Sequence, residues 1–137
     1  MKDREGGCLC GAVRYALKGA PQATVICHCT HCQKQSGGPF SVNLLMPEDD
    51  LELRGETAFF VDHGDSGLPS YRHFCPKCGS PILTKAGNMP AIAILKAGTL
   101  DSMDGVQPQV EIYTDHAVGW FTPVEGAARF DRTPPSP

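Results

Sequence analysis

Between residues 12 and 17 the chain reads AVRYAL, and Val13, Tyr15 and Leu17 recur on one side with a period of two, the mark of a strand buried on one face. Similar short runs follow. TVIC (24–27) is apolar up to its cysteine, FSVNLLM (40–46) reads as a strand closed by the charged turn PEDD, and SYRHF (70–74) is a strand leading into Cys75. LELR (51–54) and AFFV (58–61) read as a hairpin pair across GET, while AIAIL (91–95) and VEIYT (110–114) are two further strands. HGDSGLP (63–69) is a polar loop. One segment breaks the two-residue rhythm. Thr30 has Gln33 three residues on, the spacing of a capping box, so HCQKQSG predicts a short helix ending at Gly37 or Gly38, ahead of Pro39. The sum is a mainly β domain of many short strands whose order periodicity does not give.

Composition narrows this picture. A chain of 137 residues with 41% apolar content can build one core, and 15 glycines and 12 prolines favour strands and turns over long helices. Nothing suggests a linker before Arg132, so a single domain is expected over residues 1–131, followed by a disordered proline-rich tail at 132–137. The net charge of −3, without a basic cluster, argues against a nucleic-acid partner. No window offers about 18 consecutive apolar residues, which argues against a spanning helix. The opening MKDREGGC has charge but no apolar run behind it, unlike a secretory signal, so the expected compartment is the cytoplasm.

The seven cysteines carry the chemistry. An odd number suits a disulfide framework poorly, and they fall in ligand spacings: Cys8-x-Cys10, Cys27-x-Cys29-x-x-Cys32 and Cys75-x-x-Cys78. FCPKCGSPI has the form of a zinc knuckle, a tight turn whose N–H groups can point at sulfur, with Gly79 supplying the unusual backbone angle. GGCLCGAV places glycines on both sides of a second pair. Together Cys8, Cys10, Cys75 and Cys78 make a closed tetrahedral set for a structural zinc.

Cys27, Cys29 and Cys32 remain. Three protein ligands with an open fourth position form the pattern of a reactive zinc. Cys27 and Cys29 alternate along an extended segment and can face the same way, and Cys32 falls in the first turn of the predicted helix, where the dipole favours a thiolate. Two alternatives stay open: closure of the set by His28 or His31 as an inert Cys₃His site, and a different division of the seven ligands. Three thiolates against a zinc ion leave a net charge of −1, which would make a zinc-bound thiolate nucleophilic. Water, His28, His31 and His73 are the candidate proton sources. SGGP (36–39) is a helix stop that would also let a substrate backbone approach, and Asp101 reads as a turn residue that could orient the site. Trp120 and Phe121 read as core aromatics or pocket lining, and Arg14, Lys34 and Arg72 as solvated cations or partners for substrate carboxylates.

In combination, GGCLCGAVRY, CHCTHCQKQSGGPF, FCPKCGSPI and AGTLD closely resemble the glutathione-dependent formaldehyde-activating enzyme family, which includes centromere protein V-like proteins, over roughly residues 6 to 121. The resemblance implies an Mss4-like fold of several small antiparallel sheets bound together by zinc. It implies two zinc ions per chain, a structural one on Cys8, Cys10, Cys75 and Cys78 and a reactive one on Cys27, Cys29 and Cys32. It further implies a carbon–sulfur lyase that handles the adduct of formaldehyde and glutathione. The alternative is a zinc-stabilised module of the same fold that binds a protein and catalyses nothing. Edge strands and exposed loops are compatible with a homodimer without specifying one.

Overall fold

The computed structural model describes residues 3–134. Eleven strands and one α-helix form in chain order: β1 (Arg4–Gly7), β2 (Arg14–Leu17), β3 (Ala23–Cys27), α1 (Thr30–Ser36), β4 (Ser41–Pro47), β5 (Leu51–Arg54), β6 (Ala58–His63), β7 (Pro69–Phe74), β8 (Pro81–Ala86), β9 (Ile92–Lys96), β10 (Val110–Ile112) and β11 (Ala128–Arg129). The domain is mainly β with one short helix, as the strand pattern predicts. The sheets differ from the several small antiparallel ones expected. One has three strands in the order β1-β2-β5; the other has eight, in the order β11-β10-β3-β4-β9-β8-β7-β6. The larger is mixed, because β10 runs parallel to both β3 and β11.

The expected hairpin between LELR and AFFV does not form. β5 pairs with β2 in the small sheet, while β6 pairs with β7 in the large one. Instead of reversing the chain, GET carries it between sheets. Gly55 takes a left-handed φ of +97°, and a Cβ there would collide with the Ala12 carbonyl.

Alternation along the strands sorts the large sheet into two faces. On one face Leu44, Met46, Leu83 and Leu95 pack with Tyr15 and Leu17 of the small sheet, and with Val13 just before β2, into one cluster. All seven are 4% exposed or less, and burial of side chains this size contributes about 1.5–3 kcal/mol each. The other face is polar. Strand register aligns Cys27 with Ser41, Val25 with Asn43 and Asn43 with Lys96, and it aligns Arg72 with both Thr84 and Phe60. α1 lies over β4 on the chain that follows Cys27.

At the C-terminus, Arg132 donates from Nε to Asp115 Oδ2 at 2.8 Å, and its carbonyl accepts the Tyr113 N–H at 3.0 Å. The rest of the expected tail, 135–137, lies outside the described residues. No helix among those described is long and apolar enough to cross a membrane.

Candidate metal centres and the adjoining cleft

The turn after β1 and the turn between β7 and β8 meet at Cys8, Cys10, Cys75 and Cys78, whose sulfurs all lie within 4.8 Å of one another. Local hydrogen bonds shape both turns. Val13 N–H donates to Cys8 Sγ at 3.2 Å, and Gly79 N–H donates to the Cys75 carbonyl at 2.8 Å. Gly79 sits at φ +80°, as the knuckle spacing predicts. Hydrogen bonds from the Ser80 hydroxyl and the backbone pull the Cys78 thiol down to about 5. A tetrahedron with metal–sulfur bonds of ~2.3 Å has an edge of about 3.8 Å. The Cys8–Cys10 and Cys10–Cys75 sulfurs stand 3.6 and 3.8 Å apart, so the donor set fits a zinc-sized ion.

The second group is local in the chain. Cys27 ends β3, Cys29 is the N-cap of α1 and Cys32 lies in its first turn; their sulfurs also fall within 4.8 Å of one another. Thr30 is not the cap. Cys29 Sγ accepts the Cys32 N–H at 3.2 Å, while Gln33 Nε2 donates to the carbonyls of His28 and His116. Sulfur does the work that the capping-box reading gave to a hydroxyl. The helix stops at Gly37, left-handed at φ +71°. Hydrogen bonds from Cys27 and Cys29 hold the Cys32 thiol far down, while contact with Cys29 and Cys32 pushes the Cys27 thiol far up. A cation is what would let all three ionise together, so this set too fits a thiophilic metal.

No histidine joins these sulfurs among the described residues. His28 falls on the opposite face from Cys27, fully buried, with Nε2 2.9 Å from Glu111 Oε1 and its ring edge-on to Phe121 at 4.7 Å. Glu111 also accepts the Val124 N–H at 2.8 Å and Arg129 Nη1 at 3.1 Å. His31 stays on α1, with Nδ1 2.7 Å from Asp62 Oδ2.

Between α1 and the β6–β7 hairpin opens a cleft of about 570 Å³, lined by Thr30, His31 and Lys34 on one wall and Phe60, Asp62 and Arg72 on the other. Arg72 lines the cleft and donates from Nε to Asp62 Oδ2 at 2.9 Å; burial pulls its pKa down, but the nearby charges of Cys32 and Asp62 outweigh that and raise it. Burial pushes the Asp62 carboxyl up, but hydrogen bonds from His31 and Arg72 outweigh it and hold the group below its usual range.

Several expected residues lie elsewhere. Arg14 is held by Asp101, with Nη1 2.9 Å from Oδ1, and the Asp101 N–H donates to Glu5 of the small sheet; neither residue adjoins the cleft or the cysteine triple. His73 aligns with Leu83 on the apolar side of the sheet and bonds Thr57 Oγ1 at 2.9 Å, so it cannot serve the cleft. Trp120 is 72% exposed rather than core, whereas Phe121 packs on Phe40 and His28. The structure also adds buried polar residues that the sequence analysis passed over: Ser41, Asn43, Lys96 and Glu111. The alternation of Ser41 and Asn43 within β4 was the available signal for two of them.

Comparison with known proteins follows the same lines. Residues 3–116 match the family model described as "Glutathione-dependent formaldehyde-activating enzyme". A Halomonas elongata protein, whose name assigns it provisionally to the same enzymes, is 34% identical over 104 residues, which is 72% of this chain and 66% of the relative's length. The match thus spans just under two thirds of that relative. A crystal structure of a Rhodobacter sphaeroides protein has a similar fold, with a TM-score of 0.57 at 19% identity, covering 92% of this chain and 98% of that one.

Proposed function

The chain belongs to the glutathione-dependent formaldehyde-activating enzyme family, and from that premise we propose that it is a zinc-dependent carbon–sulfur lyase resembling S-(hydroxymethyl)glutathione synthase, acting on a small thiol–aldehyde adduct. In this reading Cys8, Cys10, Cys75 and Cys78 hold a structural zinc, and Cys27, Cys29 and Cys32 hold a reactive one. The observation that carries it is the difference in donor count. Four sulfurs complete a tetrahedron, whereas three leave one position for a sulfur from the substrate, and Thr30 and His31, which lie between Cys29 and Cys32 in the chain, line the cleft.

A zinc ion on the triple would keep an incoming thiol as its thiolate at neutral pH. The chain's own residues supply the rest. Arg72, fixed by Asp62, puts a positive charge on the cleft wall within reach of the Cys32 charge. Lys34 and His31 offer polar contacts to substrate carboxylates and carbonyls. In the synthetic direction the substrate sulfur adds to the aldehyde carbon, and the carbonyl π pair moves to oxygen. His31, oriented by Asp62, hands that oxygen a proton and is recharged, through water, by the proton the incoming thiol gave up. Cleavage is the reverse. Holding both reactants in one cleft supplies much of the acceleration.

The test is NMR observation of ¹³C-formaldehyde mixed with glutathione. The wild-type protein should speed exchange between free aldehyde and adduct well beyond the uncatalysed rate, and Cys29→Ser should not. A wild-type rate equal to background would reject the activity while leaving the fold in place.

A further inference from the structure

The polar face of the large sheet buries a cation that the scheme above does not use. Lys96 ends β9 at 8% exposure, and its Nζ donates to Asn43 Oδ1 at 2.9 Å. Among the described residues it has no carboxylate within ion-pair distance. An ammonium withdrawn from water needs a compensating charge close by.

The hydrogen bonds lead to one. Asn43 Nδ2 donates to Ser41 Oγ at 2.9 Å, and strand register sets Ser41 directly opposite Cys27 of the cysteine triple. Ammonium and amide therefore both donate in the same direction, toward the cysteine centre, and such a row polarises cooperatively. Ser41 and Asn43 are each 4% exposed, so little water screens it. Burial pulls the Lys96 ammonium down, and the sulfurs of Cys32, Cys27 and Cys29 counter that pull.

Charge counting gives the row a purpose. Three thiolates around a dication carry a formal −1, which Lys96 offsets; Arg72 already has Asp62 as its own partner. A fourth thiolate then brings the assembly to −1 rather than −2. We propose that Lys96, acting through Asn43 and Ser41, is the positioning residue that makes the three-cysteine centre accept an anionic sulfur as its fourth ligand in preference to a neutral one. This rests on the reading of that centre given above.

The test uses the full chain loaded with Co²⁺, in which each thiolate ligand adds intensity to the sulfur-to-cobalt charge-transfer absorption. Wild type is titrated with glutathione and with S-methylglutathione, whose sulfur cannot ionise. Only glutathione should add intensity. Lys96→Met, which removes the charge, and Asn43→Asp, which gives the lysine a private carboxylate, should each need roughly tenfold or more glutathione for the same gain. The cobalt count should stay unchanged. Equal midpoints in all three proteins would overturn the role of Lys96 and leave the centre standing. No gain in wild type with cobalt bound at the triple would remove thiol docking itself, and this proposal with it. Should Lys96→Met fail to hold cobalt, Asn43→Asp decides between those outcomes.

Discussion

Four cysteines at one end of the molecule come from two turns, with Cys10 and Cys75 separated by 65 positions, while the other three occupy a stretch of six. The long-range set closes a large loop and joins the small sheet to the large one, so any ion it binds works against the full entropy of the chain. The local set closes almost nothing. Its sulfurs are placed by one strand end and one helical turn. Ligand separation along the chain therefore distinguishes a site that builds the domain from one that the domain builds.

The hardest blow to that contrast is Cys78→Ser. Structural zinc supplies about 10–16 kcal/mol in small zinc-dependent folds, comparable to or larger than the whole net stability of a domain. The variant should show no cooperative thermal transition by circular dichroism. Glu111→Ala comes next, because it leaves His28 and Arg129 without their buried partner; a loss of about 3–5 kcal/mol is expected in denaturant unfolding. Cys29→Ser should do far less to stability, within about 1 kcal/mol, since serine is itself a good N-cap. Metal analysis should fall from two ions per chain to one, and turnover should vanish. A melt for Cys29→Ser as degraded as that for Cys78→Ser would erase the distinction between the centres.

The smallest effect concerns the cleft wall. Asp62 is held below its ordinary value of 3.8, so its stabilising contribution is complete above that pH and is lost as the pH falls through the lower folded value. Wild type should exceed Asp62→Asn in denaturation midpoint near pH 7, with the gap closing in acid below about pH 4. A gap that persists unchanged at pH 2 would mean that Asp62 acts by packing rather than by charge.

Much of this was legible in the residues alone. Val13, Tyr15 and Leu17 show the period of a strand and are buried, and cysteine spacing marks all seven as ligands, while their division into four and three comes from the fold. What stayed hidden depended on partners distant in sequence. GET has the length of a hairpin loop, and nothing local reveals that β5 finds β2 while β6 finds β7. Glu111 looks like the polar half of an alternating strand until His28, 83 positions away, is set against it. Lys96 follows an apolar run and reads as a solvent-facing strand end; only the register against Asn43 turns it inward. The helix start was missed by one residue because a cysteine sulfur caps α1.

The two-faced large sheet sets limits on how relatives of this chain can diverge. A one-residue insertion within β4 or β9 would exchange Asn43 for Leu44 or Lys96 for Leu95, drowning the polar side in hydrocarbon and wetting the interior in the same stroke. Length changes should therefore be purged from these central strands over evolutionary time. The tip joining β6 to β7 carries exposed residues on one cleft-bordering hairpin, and it is where lineages can lengthen or shorten the chain without disturbing either face.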